Sequence, residues 1–319
     1  MRATRSARRL AEGSGEAGLR GLAAGIMAQD RFSYGGQAVI EGVMIRGRRG
    51  YATALRLANG GIEVVKHRWR PLTDRNWLLR LPLVRGTPAL IDALLIGYRS
   101  LLSSADVAAR EEGIAPPSGV HYAVSIAVSA AFVVGGFVLL PSAVIPRLHL
   151  NALLMNVVEG VIRLGVFLAF LLVVSRMPDM RRVFQYHGAE HKVINAFEHT
   201  GRPDAAQAQA YGKVHRRCGT SFIFMVLVVG ILVHALVGWP VWYWRLVSRI
   251  LLLPVVAAGA YELIRLAGRY ERSRLLAVLV APGLWLQAIT TREPDKDQIE
   301  VAVRALEGAL EIDRAEAAA

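Results

Sequence analysis

The stretch YAVSIAVSAAFVVGGFVLLPSAV, Tyr122 to Val144, runs for 23 residues without one charged side chain. About 20 predominantly apolar residues suffice for a helix to cross a bilayer, so this segment reads as a membrane span. Three more stretches have that length and apolarity: Leu153 to Ser175, Ser221 to Trp239 and Leu246 to Ala267. Four spans place both chain ends on one side. The cations choose which side: residues 1–110 hold 18 Lys/Arg and residues 176–217 hold eight, whereas the first link carries only Arg147 and His149 and the third, Gly238 to Trp244, is aromatic. The positive-inside bias therefore expects the N and C termini and the central loop in the cytoplasm, with the spans in the cell membrane.

Composition agrees. The chain has 319 residues, 54% of them hydrophobic, a mean hydropathy of +0.36 and a net charge of +13. Because 26 of the 38 Lys/Arg lie in the two stretches on the cytoplasmic side, a bilayer with anionic lipid accounts for the charge and nucleic acid is not needed as a partner. A single cysteine, Cys218, excludes an intramolecular disulfide. Protein partners are left unspecified.

The expected fold is thus predominantly α-helical and polytopic, with four transmembrane helices in residues 120–268. Residues 1–32, beginning with Arg2, Arg5, Arg8 and Arg9, lack the apolar run of a signal peptide and read as a disordered basic tail. In residues 33–110, two alternating runs around Asn59-Gly60-Gly61 signal a β-hairpin, with further strand expected around Val39 to Met44. Thr87-Pro88 then opens an amphipathic helix that either lies in the interface or covers the sheet. In residues 269–319, Leu275 to Ile289 is expected to be an interfacial or re-entrant segment broken at Pro282-Gly283, followed by an amphipathic helix from Asp295.

Chemistry concentrates in the loop 176–220. Its segment YHGAEHKVINAFEH, 186–199, reads as one helix stopped by Gly201. At 100° per residue, His187, His191 and Glu198 fall within about 40° of one another and Glu190 about 60° to the other side. Two imidazoles at i and i+4 suit a divalent metal, and His-x-x-Glu-His is the arrangement in which both histidines hold zinc while the glutamate acts as base on water. A second motif, His215-Arg216-Arg217-Cys218, gives a His-x2-Cys spacing whose side chains reach one metal. Four ligands from His187, His191, His215 and Cys218 would close a structural site; three would leave a position open for catalysis by Glu190. The plainer alternatives are a polar helix at the membrane surface and a small buried thiol at a helix entry. Glu41, in a Gly-flanked apolar segment, and Glu262, near the same membrane face as Cys218, are further candidate carboxylates. Glu159 with Arg163 reads as an ion pair turned toward the bundle interior.

The segments GGQAVIEGVMIRG (35–47), YHGAEHKVINAFEH (186–199), HRRCGTSF (215–222), RILLLPVVAAGAYELIRL (249–266) and PGLWLQAITTREPDKDQIEVAVRAL (282–306) resemble the YqhQ-like family of bacterial membrane proteins. The resemblance covers about residues 33 to 312. It implies a metal-dependent enzyme of unassigned reaction, and places His187, Glu190, His191, His215, Cys218, Glu41 and Glu262 within family motifs without giving them roles. Two functions remain in competition: a zinc-dependent hydrolase at the cytoplasmic face acting on a lipid-linked or peptide substrate, or a non-catalytic scaffold that binds a partner or lipid and carries a structural metal. Transport, which needs a polar path through the bilayer, is poorly served by four helices with two acid/base pairs.

Overall fold

The computed structural model describes residues 32–114, 118–145, 150–238, 241–270 and 273–317. The expected tail, except Phe32, lies outside them, as do Arg147, His149, Trp239 and Pro240. Contacts divide the chain into residues 1–34 and 35–319. In the first unit the rings of Phe32 and Tyr34 meet edge to face, 5.3 Å apart. Everything below belongs to the second.

Four antiparallel strands form one sheet in sequence order: β1 (Gly35–Val39), β2 (Gly42–Arg46), β3 (Gly50–Arg56) and β4 (Ile62–Arg68). The expected hairpin is β3–β4, with Arg56 opposite Ile62 and Gly60 at φ +83° where the turn requires it. The glycine-rich approach supplies two strands, paired from Gly35 opposite Arg46 to Val39 opposite Gly42. Glu41 occupies their turn at φ +51°.

The sheet is covered on both faces, which explains why β2 and β3 are buried almost throughout. Helix α1 (Gly86–Glu111) brings Ile96 against Met44 and Tyr51, and Val107 against Val39 and Leu55. Asp92 of α1, fully buried, accepts hydrogen bonds from Arg46, the Trp69 indole and the Leu72 amide. The opposite edge of α1 leaves Ile91, Leu94, Leu95, Tyr98 and Leu101 exposed, so one helix both covers the sheet and presents an apolar face.

Among the described residues three helices are long and apolar enough to cross a membrane, or four if a bent pair that passes the same test together is one span. They are α2 (Gly119–Val134, extended to Phe137), α3 (Ala152–Val174), α5 (Gly219–Val237) and the pair α6 (Trp242–Leu251) with α7 (Leu253–Arg269), bent by 43°. Between α3 and α5 stands α4 (Pro178–Thr200), which Gly201 ends at φ +71°. Gly160 lets α3 and α5 approach closely, since a Cβ there would lie 2.2 Å from Ile231.

One segment differs from expectation. Residues 274–290 form a continuous helix, α8 (Arg274–Thr290), that runs through Pro282 without the expected break. Its Pro-Gly step serves packing, because Gly283 presses against Ser221 at the start of α5. The amphipathic helix α9 (Lys296–Ala317) buries Ile299, Ala302, Leu306 and Ala309 against the second face of the sheet and α4, with Gly308 directly over Ala52.

Candidate metal site at the mouth of α5

His187 and His191 lie one turn apart on α4, their ring centroids 4.4 Å from each other. Each imidazole is fixed at Nδ1. His187 Nδ1 donates to the Thr290 carbonyl at 2.8 Å and His191 Nδ1 to the Lys213 carbonyl at 2.7 Å. An imidazole whose Nδ1–H is taken by a carbonyl keeps its lone pair on Nε2, the arrangement that histidine ligands adopt. Both acceptors are themselves held. Asn195 donates to the Gly212 and Val214 carbonyls on either side of Lys213, and Thr290 is buried in the last turn of α8.

Cys218 is the N-cap of α5, its Sγ accepting the Thr220 amide at 3.4 Å. The same sulfur lies 3.3 Å from His187 Nε2. One ligand atom from each of His187, His191 and Cys218 fits within a sphere where all lie no more than 4.8 Å apart. Donors of this kind, two imidazoles and a thiol, are those a zinc-class cation takes.

Glu190 completes the arrangement. Its Oε1 accepts the backbone amide of Gly36 at 3.1 Å, while Oε2 faces His187 Nε2 at 3.9 Å and His191 Nε2 at 3.8 Å. Two imidazole lone pairs and a carboxylate oxygen therefore converge where Glu190 is 3% and His191 1% exposed. Acceptors brought together out of water repel one another unless a cation joins them, so the residues present fit a metal ion.

Other sequence candidates stand around this group. His215 is turned away: its Nε2 lies 3.6 Å from Glu198 Oε2, and Glu198 also pairs with Arg217. Burial acts to raise the Glu198 pKa, but the hydrogen bond to His215 and the charges of Arg217 and His215 outweigh it, and the carboxyl sits below its ordinary range. Glu262 is gripped by Arg85 at 2.7 and 2.6 Å and receives the Leu83 amide at 3.3 Å, so it ties α7 to the start of α1. Glu41 pairs with Arg182 and accepts the Tyr186 hydroxyl at 3.2 Å.

Sequence reasoning missed the supports. Gln287, fully buried on α8, accepts the His215 amide at 2.9 Å and donates to the His215 carbonyl at 2.8 Å and to Ser221 at 3.0 Å, fixing the chain just before Cys218. Gly188 lets α4 touch the segment after α8, where a Cβ would lie 2.1 Å from the Arg292 carbonyl oxygen. One signal was present. Arg182, Tyr186 and Glu190 recur every four residues, and all three meet the β1 strand or its turn.

Fold and site together define a mostly helical protein, with three or four helices apolar enough to cross a membrane and a small sheet that buttresses a His2Cys group and a carboxylate. The chain belongs to the family described as "Protein of unknown function (DUF1385)", whose model matches residues 81–312. It is 34% identical over 298 residues to "Uncharacterized protein YqhQ" of Bacillus subtilis (strain 168), covering 88% of this chain and 93% of that one. No solved structure matches it.

Proposed function

We propose that this chain is a multi-pass protein of the bacterial cytoplasmic membrane, with both termini cytoplasmic, and that it is a metal-dependent hydrolase acting at the cytoplasmic face on a lipid-linked or peptide substrate. His187 Nε2, His191 Nε2 and Cys218 Sγ hold the metal, a divalent cation of the zinc class. The observation that carries this reading is the fixing of both Nδ1 atoms by backbone carbonyls, which points both Nε2 lone pairs and Glu190 Oε2 at one place. The weight of Lys/Arg before residue 111 and between 176 and 217 supports the sidedness.

A divalent cation there supplies Lewis acidity toward a carbonyl or phosphoryl oxygen and toward water. Glu190 does the proton work. With Oε1 anchored on the Gly36 amide, Oε2 is aimed to accept the proton of an attacking water and to pass it to the leaving group. The His187 side chain, 15% exposed against 1% for His191, marks the side from which substrate reaches the group.

Elemental analysis of protein purified without chelator tests the reading. About one divalent transition metal per chain is expected, and a His187→Ala/His191→Ala variant should carry none. Metal-free wild type would overturn it. The depth of burial favours one competing reading, in which the metal only pins the loop before α5 and the protein is a scaffold for a partner or anionic lipid. A Glu190→Gln variant that keeps metal and full cellular function would establish that alternative.

A further inference from the structure

At the end of the bundle away from Cys218, charged side chains meet among the apolar helices. Glu159 of α3, 4% exposed, is paired with Arg163 one turn on and with Arg249 of α6. Arg249 Nη2 also donates to Asn156 Oδ1 at 3.1 Å, and Asn156 Nδ2 donates to the Gly238 carbonyl, just past α5, at 3.0 Å. Arg163 Nε donates at 2.9 Å to the carbonyl of Phe137, in the π-helical segment Gly135–Leu139 that continues α2. Four stretches of chain thus converge, from Asn156 near the helix end to Arg163, the twelfth of the 23 residues of α3.

The cluster is unbalanced. Within the cluster one carboxylate, Glu159, stands against the two guanidinium groups of Arg163 and Arg249. A second, independent sign is that Arg249 Nε and His234 Nε2 are two of the three described buried side-chain polar atoms without a hydrogen-bond partner. A spanning segment normally carries no uncompensated cation, because its burial in hydrocarbon is costly, and cations on the sparsely charged side run against topology. Two guanidinium forks beside an amide, with one carboxylate between them, are suited to a tetrahedral oxyanion.

We propose that this cluster, Arg163 and Arg249 with Asn156, is a binding site for a phosphate group, presented by a phospholipid headgroup or as free phosphate, and that Glu159 occupies the guanidinium donors when the phosphate is away. The proposal rests on the membrane-spanning reading of α3 and α5 and is independent of the metal site.

The test uses the full chain in detergent, with lipid retention measured by native mass spectrometry and thermal unfolding followed in parallel. Phosphatidylglycerol should be retained and should raise the midpoint, and phosphatidylcholine, whose choline carries its own cation, should do so less. Arg163→Gln/Arg249→Gln should weaken phosphatidylglycerol retention about tenfold, while Glu159→Gln, which removes the competing carboxylate, should strengthen it. Competition by inorganic phosphate assigns the site to free phosphate; its failure to compete assigns it to the headgroup. Where the double variant does not fold, Arg249→Lys, which keeps the charge and loses the fork, should still weaken retention. Unchanged retention in a folded arginine variant, or weaker retention in Glu159→Gln, would reduce the cluster to a structural ion-pair network and overturn the proposal.

Discussion

The backbone amide of Gly36 donates to Glu190 across 154 positions of sequence, at 3.1 Å, and so couples the edge strand of the sheet to the centre of the candidate metal site. A Cβ at Gly36 would lie 2.0 Å from the Met44 carbonyl oxygen, within backbone that cannot give way without shifting β1 against β2. Gly36→Ala is therefore expected to cost about 1–3 kcal/mol or more and to lower metal retention as Glu190 loses its anchor. Gly35→Ala, where nothing lies within 4 Å, is the control and should be nearly neutral. Equal denaturant stability of the two variants would refute this coupling.

Ligand assignment separates one histidine from two others that the sequence treats alike. His187, His191 and Cys218 form the group, and His215 instead faces Glu198. Cys218→Ser and His191→Ala should reduce bound metal severely, whereas His215→Ala should retain it, though less stable through the loss of packing beside Gln287. Metal content measured by mass spectrometry decides the matter, and loss of metal in His215→Ala would place that residue among the ligands.

Glu190→Gln preserves shape and the Gly36 hydrogen bond while removing the base. Metal should remain at the wild-type level and cellular function should fall, by the roughly 10²–10⁴-fold that general base catalysis contributes. If the metal leaves with the carboxylate, Glu190 is a ligand and the hydrolytic role assigned to it fails.

Tyr186 gives a pH prediction. Burial of the phenol raises its pKa above the ordinary 10.0, and the neighbouring Glu41 charge and hydrogen bond act the same way against Arg182. Because the folded-state value lies above the unfolded one, the contribution is complete below pH 10 and is lost as pH rises through the raised value. The stability advantage of wild type over Tyr186→Phe should be constant below pH 10 and shrink above it. An advantage that instead grows with alkaline pH would contradict the burial of this hydroxyl.

Much of the apolar helical part was legible because length and apolarity are local properties. A run such as Tyr122 to Val144 must satisfy its backbone within itself, so length and apolarity suffice to find it, and the Asn59-Gly60 turn was equally local. The Pro282-Gly283 step was misread for the opposite reason. Its lost backbone bond is a local cost, whereas the contact of Gly283 with Ser221 that makes the close approach useful is made 62 residues away in sequence.

Sequence by itself determined the apolar helices, the side of the chain on which the cations accumulate, and the single helical face that carries His187 and His191. Those features depend on residue type and on the helical period. Only the tertiary structure decided which neighbours join them: that Cys218 enters the group while His215 and Glu262 turn to Glu198 and Arg85, and that the Thr290 and Lys213 carbonyls and the Gly36 amide orient the side chains. Most of these partners are backbone atoms, identical in every residue but proline, so no sequence motif marks them, and their positions follow only from packing the sheet and α8 against α4.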